Sequence, residues 1–157
     1  MRPKVYLETT VPSYLMASPS RDLVIAAHQQ ITQSWWASFR PKFDVFVSQL
    51  VLEETSQGDP GAAARRLAVL EGIPLLAITI PITEFAEEVR VVLRLPSRAA
   101  ADALHVAVAV VHRVQYLLTW NCAHIANASL RKRIESLARA AGYEPPVICT
   151  PEELTHA

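Results

Sequence analysis

Four places in the chain carry side chains for which fold-building alone gives little reason. Glu8 directly follows the short apolar run Val5-Tyr6-Leu7. In an open parallel sheet, ligands bind beyond the carboxyl ends of the strands. An acid at that point is therefore placed for chemistry, and it reads equally as a solvated loop acid. Asp102 interrupts Ala99-Ala-Ala-Asp102-Ala-Leu-His105-Val-Ala-Val-Ala-Val-Val111, a helical segment apolar almost all round. A buried carboxylate is costly unless something satisfies it. Asp102 also falls past the first turn of a helix expected to begin near Ser97, so the helix dipole alone does not account for it. Glu53 and Glu54 are adjacent on a helix led by Ser48. Neighbouring helical positions point about 100° apart, so at most one of them faces a given site. Asn121 follows Tyr116-Leu-Leu-Thr119-Trp120, at another strand end. It reads as a turn residue or as a carbonyl donor to a metal.

Carboxylate and amide oxygens converging on one point make a hard-oxygen site, and Mg²⁺ or Mn²⁺ is its expected occupant. Close carboxylates repel each other, and a cation offsets that repulsion. Such an ion also orients and polarises a phosphodiester and helps generate a hydroxide nucleophile. This chemistry needs neither His nor Cys. Thr9, Thr10, Ser48 and Thr119 are placed to orient the carboxylates, and each also reads as an ordinary cap or turn residue.

The elements that must position these groups alternate along the chain. Strands are expected at 5–7, 44–47, 75–80, 116–119 and 147–149. Helices are expected at 22–40, 49–57, 60–71, 82–95, 97–114, 128–141 and from 151. Asp59-Pro60 starts one helix and Gly72 stops it. Pro12 blocks a simple continuation of the first strand. Strands separated by helices predict one three-layer α/β/α domain over residues 1–157, with a mostly parallel central sheet.

The bulk composition narrows the function. With 51% hydrophobic residues and a mean hydropathy of +0.19, the chain builds a core and is not disordered. No apolar run is long enough for a membrane span, and the basic start meets Glu8 too soon for a signal peptide. Two cysteines, Cys122 and Cys149, make no disulfide framework, which suits a reducing cytoplasm. Fifteen basic residues balance fifteen acidic ones, so RNA binding needs a local basic patch or a bound cation.

The order of these motifs resembles the PIN-domain ribonucleases. The matching segments are Val5-Tyr-Leu-Glu8-Thr-Thr, Ser48-Gln-Leu-Val-Leu-Glu-Glu54, Ala101-Asp102-Ala-Leu-His-Val-Ala and Leu118-Thr-Trp-Asn121-Cys-Ala-His-Ile-Ala-Asn127. The closing Ile148-Cys-Thr-Pro-Glu-Glu-Leu154 is similar to one VapC-like subgroup. The resemblance spans about residues 4–154. It implies a Mg²⁺- or Mn²⁺-dependent endoribonuclease, the toxin of a VapBC-type toxin–antitoxin pair. Its acidic quartet would be Glu8, Glu54, Asp102 and Asn121, serving as both catalytic and metal-binding residues. Glu54 is preferred to Glu53 because it lies six residues after Ser48, as in the family. The implied partners are RNA, a second copy of the chain and a separately encoded antitoxin. Two departures matter: glutamate stands at position 8, and asparagine at 121, where most relatives carry aspartate. They open an alternative, a PIN-fold module that binds RNA or protein without cutting.

His105 shares a helix face with Asp102 and reads first as a satisfied core histidine. His124 and Asn127 are placed to line the cleft. Trp35-Trp36 reads as core or partner packing before base stacking. Arg131-Lys132-Arg133 reads equally as a phosphate contact and as a solvated face. Cys122, His124 and Cys149 do not have zinc-site spacing. A receiver-type regulatory domain needs an acid pair after the first strand and a lysine on a late strand; here Glu8 is followed by two threonines, and no lysine lies between Lys42 and Lys132.

Overall fold

The computed structural model describes residues 1–155. Five strands form one sheet in the order β3-β2-β1-β4-β5, and every pairing is parallel. The strands are β1 (Lys4–Leu7), β2 (Asp44–Ser48), β3 (Leu75–Leu76), β4 (Tyr116–Leu118) and β5 (Val147–Cys149). Central β1 is buried on both faces, with Val5, Tyr6 and Leu7 fully sealed. A strand covered on both sides needs such a continuous apolar run rather than an alternating one.

The chain winds outward from β1 to β2 and β3, then returns to the other side of β1 for β4 and β5. Between strands lie α1 (Thr10–Met16), α2 (Leu23–Ser38), α3 (Gln49–Thr55), α4 (Pro60–Leu70), α5 (Ile80–Val92), α6 (Ala100–Val111) and α7 (Ala128–Ala140). Contacts link α1 with α2 and α4, and α3 with α4; α5 packs on α6 and α7. Two helix sets on opposite faces are what right-handed crossovers produce when the winding direction reverses. The expected three-layer α/β arrangement is therefore present. The reversal lies between β1 and β4, and their carboxyl ends frame the crevice where such folds bind ligands.

Most local signals read as expected. Asp22 caps α2 by accepting from the amides of Val24 and Ile25, and Asp59 caps α4 with Pro60 in the first turn. Gly72 and Gly142 take the left-handed conformation after α4 and α7 (φ 78° and 87°), which glycine adopts without a Cβ clash.

The departures are local. The apolar run 75–80 yields a strand of only two residues, because α5 starts at Ile80 with Pro81 in its first turn. The helix expected from Ser97 is split: Ser97–Ala99 is a separate 3₁₀ turn and α6 starts at Ala100. Asp102 consequently lies in the first turn of α6, not beyond it, where the helix dipole favours a carboxylate. β1 ends at Leu7, and Pro12 falls inside the unexpected α1, whose Val11 and Pro12 are buried. Ser48 makes no cap bond, since its hydroxyl is spent on Tyr6. Residues 151–154 form turns instead of a helix, with the Glu153 carboxylate folded back on the Thr150 amide and hydroxyl.

Candidate metal centre

Glu8 leaves the carboxyl end of β1 and is only 4% exposed. Its Oε1 accepts three hydrogen bonds: from the Thr119 hydroxyl at 2.7 Å, the Thr10 amide at 3.1 Å and the Thr10 hydroxyl. Each threonine oxygen is in turn an acceptor. The Trp120 amide donates to Thr10 Oγ1 at 2.8 Å and the Asn121 amide donates to Thr119 Oγ1 at 2.9 Å. Two consecutive amides after β4 are thus relayed through two hydroxyls onto one carboxylate oxygen. This fixes the rotamer of Glu8 and ties the end of β1 to the end of β4. Glu8 Oε2 takes no part and carries no hydrogen bond among the described residues.

Glu54 comes from α3, which starts directly after β2. Thr9 donates its hydroxyl to Glu54 Oε1 at 2.6 Å, and His105 Nε2 approaches the same oxygen at 2.5 Å. Burial pushes the Glu54 carboxyl up, but the His105 hydrogen bond and charge, together with the Thr9 hydroxyl, outweigh it and hold the group below its ordinary value. Here too Oε2 is left without a hydrogen bond among the described residues. Glu53 on the same helix is exposed and faces away from this arrangement.

His105 is fully buried on α6 and satisfied at both ring nitrogens. Its Nδ1 lies 2.8 Å from the Tyr6 hydroxyl, which lies 2.8 Å from Ser48 Oγ. The reading of His105 as a satisfied core histidine holds, and the histidine also braces Glu54. Burial, against the Ser48 hydrogen bond and reinforced by the charges of Glu8 and Glu54, pushes the Tyr6 phenol well above its ordinary range. Tyr6 therefore stays protonated and serves the network as a hydroxyl. That role was not visible in the sequence, where Tyr6 reads as an apolar strand residue.

Asp102 and Asn121 form the other half of the region. Asp102 Oδ2 lies 2.8 Å from His124 Nδ1, with the two side chains 21% and 29% exposed. Asn121 Oδ1 accepts the His124 amide at 3.0 Å. The four residues singled out by sequence thus stand as two pairs. Glu8 and Glu54 bring an oxygen each within 4.8 Å of the other, Asp102 and Asn121 meet through His124, and Thr119 links the pairs by bonding to Glu8 and to the Asn121 amide. Asn127 caps α7 and donates to the carbonyls of Cys122 and Ala123, so it holds this loop.

One atom each from Glu8, Glu54 and His105 lies within 4.8 Å of the other two, a group close enough to hold a metal ion. It is the one such group of His, Cys, Asp and Glu among the described residues. The donor set fits a hard cation. Each carboxylate spends one oxygen on positioning bonds and keeps the other free, and two acids at one point gain from a cation between them. His105 Nε2 is already engaged with Glu54, so the free donors are the carboxylate oxygens.

The remaining sequence features resolve differently. Cys149 is buried, its thiol pushed up to about 12 by burial and by the charge of Glu153, against the lowering effect of Arg131. It is a core residue and does not join Cys122 and His124. Trp35 is sealed in the core, its indole donating to the Leu154 carbonyl, and Trp36 is covered by the Arg40 guanidinium 4.6 Å above its ring. In the basic run, Arg131 reaches Glu153 at 3.4 Å and Arg133 bonds to the Val92 carbonyl, which leaves Lys132 as its unpaired member among the described residues.

No family model matches the chain, and no curated protein matches it in sequence. Among solved structures it is similar to a chain in the crystal structure of VapBC2 from Rickettsia felis bound to a DNA fragment from their promoter. The TM-score is 0.59 with 14% identity, covering 94% of this chain and 98% of that one. At that identity the likeness concerns the path of the backbone, and it runs through the whole fold. No described helix is long and apolar enough to cross a membrane.

Proposed function

We propose that this chain is a PIN-type, metal-dependent endoribonuclease acting as the toxin of a VapBC-type pair, with Glu8, Glu54, Asp102 and Asn121 as its metal-binding and catalytic residues. One observation carries the reading. Two carboxylates converge where the winding of a parallel sheet reverses, each locked by one oxygen and free at the other. A structural ion pair would have a basic partner for those free oxygens; these have none. The whole-fold likeness to a chain of a VapBC2 complex supports the same class.

Glu8 and Glu54 would hold Mg²⁺ or Mn²⁺ through their free oxygens, with Asp102 and Asn121 completing the site. When bound, the ion would neutralise the paired acids, polarise a phosphodiester and make the attacking water more acidic. Thr10 and Thr119 keep Glu8 from rotating, and Thr9 and His105 do the same for Glu54, so the site pays little ordering cost when substrate arrives. His124 positions Asp102. The partners would be RNA, an antitoxin and a second copy of the chain. Leu23, Val24 and Ile25, exposed together at the start of α2, support a protein partner. The free cysteines suit a reducing cytoplasm.

A second reading is a PIN-fold module that binds without cutting. It is favoured by the grouping of the side chains: Asp102 pairs with His124 and stands outside the group of Glu8, Glu54 and His105. Purified protein, free of any antitoxin, is incubated with structured and unstructured RNA in Mg²⁺, Mn²⁺ or EDTA, beside Asp102→Ala. Metal-dependent cuts that disappear in the variant are expected. RNA left intact under all conditions, with no Mn²⁺ uptake by calorimetry, would replace the nuclease with the binding module.

A further inference from the structure

The loop after β4 carries an aromatic group that the carboxylate chemistry does not use. Trp120 stands between Thr119, which holds Glu8, and Asn121. Its amide donates to Thr10 Oγ1, the other hydroxyl that holds Glu8. Its indole Nε1 donates to Thr32 Oγ1 at 2.7 Å, and that hydroxyl donates to the His28 carbonyl at 2.7 Å. Trp120 is therefore fixed at the edge of the metal centre and is itself only 7% exposed.

The outer layer on this indole is His28 of α2. The two rings stack with centroids 4.0 Å apart and planes 13° apart. Tyr14 of α1 stands beside both, 6.1 Å from each and tilted by 79° and 67°. His28 and Tyr14 are half-buried, so each keeps part of its ring at the surface. Among the described residues the His28 imidazole makes no side-chain hydrogen bond or ion pair and is held by ring contacts alone. A packing residue gains little from a polar ring with both nitrogens unspent. A residue that meets a planar, hydrogen-bonding ligand uses both properties.

We infer that Trp120, His28 and Tyr14 form a stacking subsite for one unpaired nucleobase, beside the bond to be cut. This rests on the RNA reading above. Indole and imidazole already lie as consecutive layers, so a base laid on the outer face of His28 adds a third. Tyr14 forms a side wall, and the imidazole nitrogens can meet a base edge. Because Thr10 and Thr119 join Trp120 to Glu8, a base held here brings its own phosphodiester toward the carboxylates. The other tryptophans do not compete for this role: Trp35 is sealed and Trp36 lies under Arg40. Base–aromatic stacking contributes about 1–3 kcal/mol per base, or about fivefold to hundredfold in affinity.

The test measures binding of a short unstructured RNA by fluorescence anisotropy in EDTA, which blocks turnover, while an abasic nucleotide is moved along the strand. The wild-type chain should lose about fivefold to hundredfold in affinity at one position. His28→Ala should bind the intact RNA as weakly as that abasic one and should no longer distinguish them. His28→Phe keeps a flat ring and should restore the discrimination, which separates stacking from a folding defect. The subsite is overturned if no abasic position matters to the wild type, if His28→Ala keeps the discrimination, or if no RNA binds. Cleavage in Mn²⁺ is read in parallel. Cutting without base-dependent binding overturns the subsite alone, and base-dependent binding without cutting overturns the nuclease alone.

Discussion

His105 Nε2 lies 2.5 Å from Glu54 Oε1, and its imidazole is completely buried between that acid and Tyr6. An ionised carboxylate only accepts, so Nε2 must carry hydrogen and donate. Nδ1 meets the Tyr6 hydroxyl, and that hydroxyl meets Ser48 Oγ. Ser48, Tyr6, His105 and Glu54 thus form one connected chain from the end of β2, through β1 and α6, to α3. The buried polar atoms of three layers satisfy one another. Buried networks of this kind are stable only when complete.

Tyr6→Phe should therefore cost more than Ser48→Ala. The first leaves both His105 Nδ1 and Ser48 Oγ without their shared partner, both deeply buried; the second removes only the end of the chain. A stranded buried polar group costs about 1–3 kcal/mol, so Tyr6→Phe should lose about 2 kcal/mol and Ser48→Ala about half of that. Urea unfolding measures both. Equal losses would mean that the tyrosine hydroxyl does not connect the two groups.

Glu54 gives the molecule an acid-sensitive contribution of known sign. Burial raises its pKa, but the His105 hydrogen bond, the His105 charge and the Thr9 hydroxyl outweigh that and leave it below the ordinary value of 4.5. Between the folded and unfolded values the unfolded chain binds more protons. The contribution is therefore present above the unfolded value and is lost as pH falls through the folded one. Thr9→Val removes one of the bonds that depress it. The wild type should exceed Thr9→Val in unfolding free energy near neutrality, by about 1 kcal/mol, with the gap closing on the acid side of pH 4.5. A gap that stays constant across that range would detach Thr9 from the ionisation of Glu54.

Much of this was legible in the sequence because the deciding signals are local. Asp59-Pro60 and Gly72 bound α4 through backbone rules that no tertiary contact overrides. The doubly buried β1 shows itself as an uninterrupted Val-Tyr-Leu. The carboxylates were visible because charge is expensive in apolar surroundings. The missed elements depend on partners distant in the chain. Tyr6 becomes a network hydroxyl only because Ser48 and His105 arrive 42 and 99 residues later. The start of α6 moved because Pro96 leads into a 3₁₀ turn of its own, which also carried Asp102 into the first helical turn. The Trp120–His28 stack joins residues from opposite ends of the chain order, and no spacing rule connects them. The partner of Asp102, His124, lies across the loop after β4 for the same reason.

The two free carboxylate oxygens make a prediction that does not depend on catalysis. A cation that binds the folded chain and not the unfolded one stabilises it by mass action, by about 2.7 kcal/mol at a hundred times its dissociation constant. Mn²⁺ should therefore raise the unfolding temperature of the wild type in a concentration-dependent way. Glu8→Gln removes one of the converging charges while keeping an oxygen that Thr10 and Thr119 can still bond. It should shrink or abolish the Mn²⁺ shift and should raise the unfolding temperature without metal, because Glu54 then loses a like-charged neighbour. Glu53→Gln changes the adjacent, exposed acid of the same helix and should respond to Mn²⁺ as the wild type does. Calorimetric melting of the three proteins across a Mn²⁺ series separates the cases. If Glu53→Gln, rather than Glu8→Gln, lost the shift, the ion would bind outside the pair at the end of β1 and the start of α3, and the choice of Glu54 over Glu53 would be wrong.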